Sequence, residues 1–271
     1  MADDRVFVPT EGQLGIVAFF SGGGSSFKAV HENSMKVFSY GKETENYGAI
    51  RAFTDTPNCY NVVAAFTDTP SCKAAHYALD NNIPLITHDI RKFYKKRGRP
   101  LKDMDVRAEF DAWTVESVDE LAEKYGFQPD VVMLSGYMRL VTKPLLERWP
   151  NRIFNVHPAD LTVLNDDGRR KYTGDNAVYD AIKAGEKSTR STIHIVNELA
   201  DQGPIVVQSD PLPVQGLTDE IRSDDKLLRE FSAQHQERMK NECDIPAFLK
   251  AMMLVSTGRI GVRNNEVKIF D

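Results

Sequence analysis

Cysteine is scarce in this sequence and long hydrophobic runs are absent. Cys59, Cys72 and Cys243 are the only three cysteines in 271 residues. They are too few and too scattered for a disulfide framework or a cysteine-based zinc site. The odd count points to reduced thiols and a cytoplasmic setting. The longest apolar stretch falls well short of the roughly 18 residues a membrane span needs. The start, MADDRVFVPTEGQ, is acidic and polar, unlike a signal peptide. Positive charge is not in excess either. Lys and Arg total 34 against 39 Asp and Glu, a net charge of -5. That leaves no global drive toward nucleic acid or an anionic membrane. What remains is 41% hydrophobic and 27% charged residues, an ordinary globular composition long enough to bury a core. The length allows one large domain or two small ones.

The apolar run Gly15-Ile16-Val17-Ala18-Phe19-Phe20 breaks into Ser21-Gly22-Gly23-Gly24-Ser25-Ser26. A helical pattern marked by Phe27, Val30 and Met35 follows, so the segment reads strand, glycine loop, helix. Val62–Phe66, Pro84–Thr87, Asp130–Ser135 and Ile153–His157 read as further strands, the fourth (Asp130–Ser135) apolar enough to be covered on both faces. Helices are expected from Lys73 to Leu79, from about Asp105 to Tyr125, and through Leu145-Leu146. This alternation predicts an α/β fold, a doubly wound and mostly parallel twisted sheet flanked by helices. Thr192–Val196 and Ile205–Gln208 add two strands. A late long helix is expected from about Asp219 to Asn241, interrupted by Pro246. The last 14 residues, with Asn264-Asn265, suggest a small C-terminal hairpin. Ala52–Cys59 is nearly repeated as Ala65–Cys72, but two copies make no solenoid. Residues 91–102 hold seven basic residues, including Arg97-Gly98-Arg99-Pro100. Such a core can lie in a DNA minor groove. The acidic total favours a solvated loop between a strand and a helix, or one that attracts an anionic substrate.

The glycine loop sits where a first strand ends and a helix begins, the place where backbone N–H groups cradle anions. Gly22 and Gly24 fit G-x-G, but Phe27 occupies the third position and no Walker lysine follows. Phosphate binding and a tight turn that binds nothing both stay open. Asn155 and His157 are two apart on a strand and so share one face, at the strand's carboxyl end. An Asn amide can donate to a developing oxyanion, and a His can take a proton. A carboxylate to orient the His is needed, and spacing alone leaves many candidates.

Four segments carry a family resemblance: Ile16–Ser26, Asp130–Val141, Arg152–Pro158 and Thr192–Pro204. The last two combine Asn-x-His-Pro, a strand His and an Asp-x-Gly-Pro turn. The chain resembles the 10-formyltetrahydrofolate-dependent formyltransferases from about Gly15 to Arg259, and most of all the branch that formylates glycinamide ribonucleotide. The resemblance implies a formyltransferase-like Rossmann variant and one catalytic unit over residues 1–271. Residues of about 15–130 would form the nucleotide- and phosphate-binding half, and about 130–260 the folate-binding and catalytic half. It implies transfer of a formyl group from 10-formyltetrahydrofolate, without a metal, to a small phosphorylated amine. Asn155, His157 and Asp201 would be catalytic. Asn155 and His157 would stabilise the oxyanion, while Asp201 keeps His157 protonated and helps move a proton. Gly24, Ser25 and Ser26 would bind phosphate. Met138, Arg139, Val141, Asn197 and Ala200 would line the folate pocket, and Gln234 and Glu237 would reach the phosphate and ribose end. His194 matches a family histidine with a structural or a direct role. No nucleic-acid or membrane partner is implied, and the chain would be a monomer or homodimer.

The departures fall on the acceptor side. Ser26 stands where the ribonucleotide enzymes usually have Asn. Ala159–Val163 replaces the usual Ser-Leu-Leu-Pro, and an insertion, Leu164–Tyr172, precedes Gly174. Asn176 and Val178 stand where histidines are common, and the stretch from about Val37 to Asn61 is longer than usual. Formyltetrahydrofolate deformylase is the alternative, with water as acceptor. Those enzymes usually carry an N-terminal regulatory domain and lack a glycine-rich first loop, whereas about 14 residues precede the first strand here. Methionyl-tRNA or sugar formylation fits the first loop poorly. A non-catalytic relative would not need the trio.

Overall fold

The computed structural model describes residues 4–9, 13–39 and 59–270. Residues 52–58 of the first copy of the near-repeat, and most of the long stretch before Asn61, lie outside these residues. In chain order the elements are β1 (Leu14–Phe20), α1 (Ser25–Ser39), β2 (Tyr60–Thr67), α2 (Lys73–Asp80), β3 (Leu85–Thr87), α3 (Ile90–Arg97) and α4 (Met104–Tyr125). Then come β4 (Val131–Leu134), α5 (Lys143–Arg148), β5 (Ile153–His157), α6 (Ala177–Lys183), β6 (Ser188–Thr189) and β7 (Thr192–Ile195). The chain closes with β8 (Ile205–Gln208), β9 (Leu212–Pro213), α7 (Asp219–Ser223), α8 (Asp225–Met239), α9 (Ile245–Ser256), β10 (Ile260–Arg263) and β11 (Glu266–Ile269).

Seven strands form one sheet in the order β3-β2-β1-β4-β5-β7-β8. The pairs from β3 to β5 are parallel, and β7 and β8 add antiparallel at the far edge. Every residue of β1 and β4 is buried, as continuous apolar runs in the middle of a two-faced sheet should be. One face packs Ile16, Ala18, Phe20 and Phe154 against α1, α2 and α9. The other packs Val17, Phe19, Leu134 and Ile153 against α3, α4 and α5. β10 and β11 make the expected hairpin, with Asn264 and Asn265 both at positive φ in its turn.

Four expectations need correction. Residues 90–97 are helical rather than a solvated loop. Asp89 caps the first turn by accepting from Lys92 N at 3.0 Å, Gly98 ends the helix in the left-handed conformation, and Ile90 and Tyr94 point inward. The late helix does not run unbroken from Asp219. It stops at Ser223, and Asp224 caps the start of α8. Pro246 does not end the helix either. A π-helical stretch, Lys240–Asp244, links α8 to α9 and leaves Pro246 in the first turn of α9. The switch from α to π winding just before it lets the helical run continue past the proline. Met35, taken as an apolar marker, is exposed.

Candidate active site

β1, β4 and β5 are neighbours and parallel, so their carboxyl ends share one edge. The loops leaving that edge are tied together. Ser21 N donates to Gly136 O, Met138 N donates to Ser21 Oγ at 3.1 Å, and Phe27 N donates to Ser135 Oγ at 3.0 Å. The glycine loop and the segment after β4 are therefore one rigid floor. Gly24 has φ +60, and a Cβ there would stand 2.7 Å from Ala74 Cβ. Only glycine fits, and the tight turn aims the first amides of α1 outward. Among the described residues, no hydrogen bond takes up the N–H of Ser25 or Ser26. Ser26 itself is buried and Ser25 half-buried.

The Asn155–His157 pair stands as the strand alternation predicts. Both project to one face, and the antiparallel register sets Asn155 opposite His194 of β7. Asn155 Nδ2 is 3.2 Å from His194 Nε2, and His194 Nδ1 is 3.1 Å from Ile195 O. A carbonyl can only accept, so His194 carries its proton on Nδ1 and Nε2 accepts from the Asn155 amide. One N–H of Asn155 is thereby engaged and the other is left to donate. Asp201 closes the group from the loop between β7 and β8. Its Oδ1 is 3.4 Å from His157 Nδ1 and 3.6 Å from His194 Nε2, and its Oδ2 accepts from Gly174 N at 2.8 Å. Sequence spacing left the carboxylate open, and the fold selects Asp201.

His157 is buried and donates from Nε2 to Tyr172 O at 2.8 Å. Its neutral ring therefore holds its lone pair on Nδ1, beside Asp201. Burial depresses the pKa of His157 below its ordinary 6.5, against the pull of Asp201 and of the Tyr172 carbonyl. Desolvation and the Asp201 carboxylate at 3.4 Å thus pull on the His157 charge in opposite directions, and desolvation is the larger. For Asp201 the balance runs the other way. Burial pushes its carboxyl up, but the neighbouring histidines His194 and His157 and the Gly174 N–H outweigh it and hold the pKa at about 2.

The remaining expected residues fall as follows. Met138 is 61% exposed at the sheet edge. Arg139 is pinned by an ion pair to buried Asp68 at 2.6 Å, a partner that sequence reading missed. Val141 packs partly buried beneath, Asn197 caps its own turn by accepting from Leu199 N, and Ala200 is exposed. Gln234 and Glu237 lie exposed on α8, with Glu237 paired to Lys240, and neither makes a hydrogen bond to the Gly24–Ser26 loop. The inward residue between them is His235, 2.8 Å from Thr189 Oγ1. Tyr172 and Gly174 contribute through the backbone, which leaves no side-chain signal to read.

Comparison with known proteins places this geometry. A family model described as formyl transferase matches residues 15–223. A chloroplastic phosphoribosylglycinamide formyltransferase of Arabidopsis thaliana is 29% identical over 194 residues, covering 72% of this chain and 53% of the plant protein. A formyltetrahydrofolate deformylase of Haemophilus influenzae is 32% identical over 103 residues, 38% of this chain and 32% of that protein. The chain spans about half the length of the chloroplastic relatives it matches. A solved glycinamide ribonucleotide transformylase from Symbiobacterium toebii shares the fold, with a TM-score of 0.64 at 24% identity over 97% of this chain and 96% of that one.

Proposed function

This chain belongs to the formyl transferase family, and from that premise we propose that it moves a formyl group from 10-formyltetrahydrofolate to the amine of a phosphorylated acceptor, with glycinamide ribonucleotide the leading one. The observation that carries the reading is the convergence of Asn155, His157, His194 and Asp201 on one face of the β5–β7 pair. The seven-stranded sheet runs through both halves of the chain and supports a single catalytic unit.

In the reaction the acceptor amine attacks the formyl carbon and the carbonyl electrons move to oxygen. The free N–H of Asn155 donates to that oxyanion. The amine must lose a proton, and the folate nitrogen must gain one as its bond to the formyl carbon breaks. His157 takes the proton on Nδ1, and the ionised Asp201 beside it stabilises the imidazolium until the proton passes to the leaving nitrogen. The α1 amides at Ser25 and Ser26 take the acceptor phosphate. Backbone groups of Met138, Arg139 and Val141, together with Asn197 and Ala200, hold the folate ring. The three scattered cysteines fit a reducing compartment, the cytoplasm.

Deformylation is the second reading, favoured by the likeness to the Haemophilus influenzae enzyme. One experiment separates the two. The protein is mixed with 10-formyltetrahydrofolate, with and without glycinamide ribonucleotide, and loss of formyl-folate is followed. Loss only with the acceptor is expected, whereas equal loss without it makes the protein a deformylase. Asn155→Ala and His157→Ala are each expected to cut kcat by about 100-fold or more with the fold intact. Full activity in either variant would overturn the role assignment.

A further inference from the structure

The insertion after β5 was expected to frame the acceptor, yet it turns back onto the catalytic loop. Its arms close as a hairpin. Lys171 N donates to Val163 O at 2.9 Å, Asn165 N donates to Arg169 O at 2.7 Å, and Leu164 bridges Arg170. At the end of the second arm, the Arg170 guanidinium donates from Nη1 to Asp201 O and from Nη2 to Gly203 O, the latter at 2.9 Å. The two carbonyls flank Gln202, so the planar fork grips the turn that presents Asp201.

That turn needs a restraint. Asp201 has φ +55, a left-handed conformation that residues with a side chain rarely hold without tertiary support. One flank is fixed by the sheet: a Cβ on Gly203 would fall 1.7 Å from Ile195 O, and Ile195 N donates to Pro204 O. The opposite flank is held by Arg170. The residues that follow finish the arrangement, since Tyr172 O receives the His157 Nε2 proton and Gly174 N donates to Asp201 Oδ2.

Resting on the formyl-transfer reading above, we propose that Arg170 is a positioning residue, and that the hairpin over 163–171 is a clamp setting the Asp201 carboxylate against His157. Arg170 touches neither reacting group. Its fork acts through the backbone of the turn, while its charge also disfavours the His157 imidazolium, so its loss should lower turnover and leave acceptor affinity nearly unchanged. Lysine keeps the charge but not the two-pronged geometry, which separates the clamp from simple electrostatics.

The test compares the parent with Arg170→Ala and Arg170→Lys in the full chain. Hydrogen exchange of the peptide covering 197–203 is read beside kcat and the two KM values. In both variants exchange there is expected to rise about tenfold, with kcat down about 10- to 100-fold and the acceptor KM within a factor of about three. Millimolar methylguanidinium is expected to restore part of kcat in Arg170→Ala. Unchanged exchange overturns the clamp. Raised exchange with unchanged kcat, or a loss confined to KM, overturns the positioning role. Should Arg170→Ala fail to fold, Arg170→Lys carries the same readouts. A parent that transfers no formyl group to any amine defeats the proposed function, while the exchange measurement still decides whether the clamp exists.

Discussion

His157 lies between two acceptors, the Tyr172 carbonyl at 2.8 Å and the Asp201 carboxylate at 3.4 Å. His194 and Arg170 face it with opposing effect, and both, like burial, disfavour the imidazolium. The free protein therefore holds a neutral His157 at neutral pH, ready to accept a proton. The sign of the pH dependence follows. Activity that needs the neutral ring is complete above its depressed pKa and is lost as pH falls through it. The acid limb of kcat/KM is expected below pH 6.5, the ordinary histidine value. Asp201, held at about 2, adds no limb until the pH approaches that value. A limb centred above pH 6.5 would overturn the neutral assignment. Asp201→Asn keeps the size but removes the charge that stabilises the imidazolium, so kcat should drop by roughly 100-fold or more with little change in KM.

At the scale of elements, the join between β1 and α1 is the most constrained. Gly24→Ala places a Cβ against Ala74 at 2.7 Å and at φ +60. The left-handed conformation alone costs about 1–2 kcal/mol, read as a lower urea midpoint, and KM for the phosphorylated acceptor should rise. The join between α4 and α5 rests on Asp111. Wholly buried, it accepts from Thr142 N at 2.8 Å and from Thr142 Oγ1 at 2.6 Å. Burial raises its carboxyl from 3.8 to about 6 despite those bonds. A raised carboxyl favours the protonated folded state, so this stability is present below pH 4 and lost as pH rises through about 6. The amount is about 3 kcal/mol at full ionisation. Asp111→Asn should remove most of that slope between pH 4 and 7 in urea titrations. An unchanged slope would show that the charge is not in the core.

At the scale of the whole molecule, the two halves share one core. Phe248 of α9 is fully buried in the same cluster as Phe20 and Phe27 from the start of the chain. Phe248→Ala should cost roughly 3–5 kcal/mol. Both halves should still melt in one calorimetric transition at a lower Tm. Two separated transitions would show that the phosphate-binding and catalytic halves fold independently.

The sequence by itself determined the sheet's middle strands, because residues buried on both faces must be apolar without interruption, and the Asn155–His157 pair, because strand alternation puts both on one face. Family likeness supplied Asp201. Residues 90–97 hid their helix, since basic residues outnumber the few inward ones and the Asp89 and Gly98 caps are a weak local signal. Tertiary structure alone decided which state His157 holds, because a pKa is set by burial and by neighbours distant in sequence. It also decided that the end of the insertion reaches the turn that carries Asp201. That contact is made by Arg170 with backbone carbonyls, and a carbonyl is the same at every residue, so only the folded path of the chain selects which ones it meets.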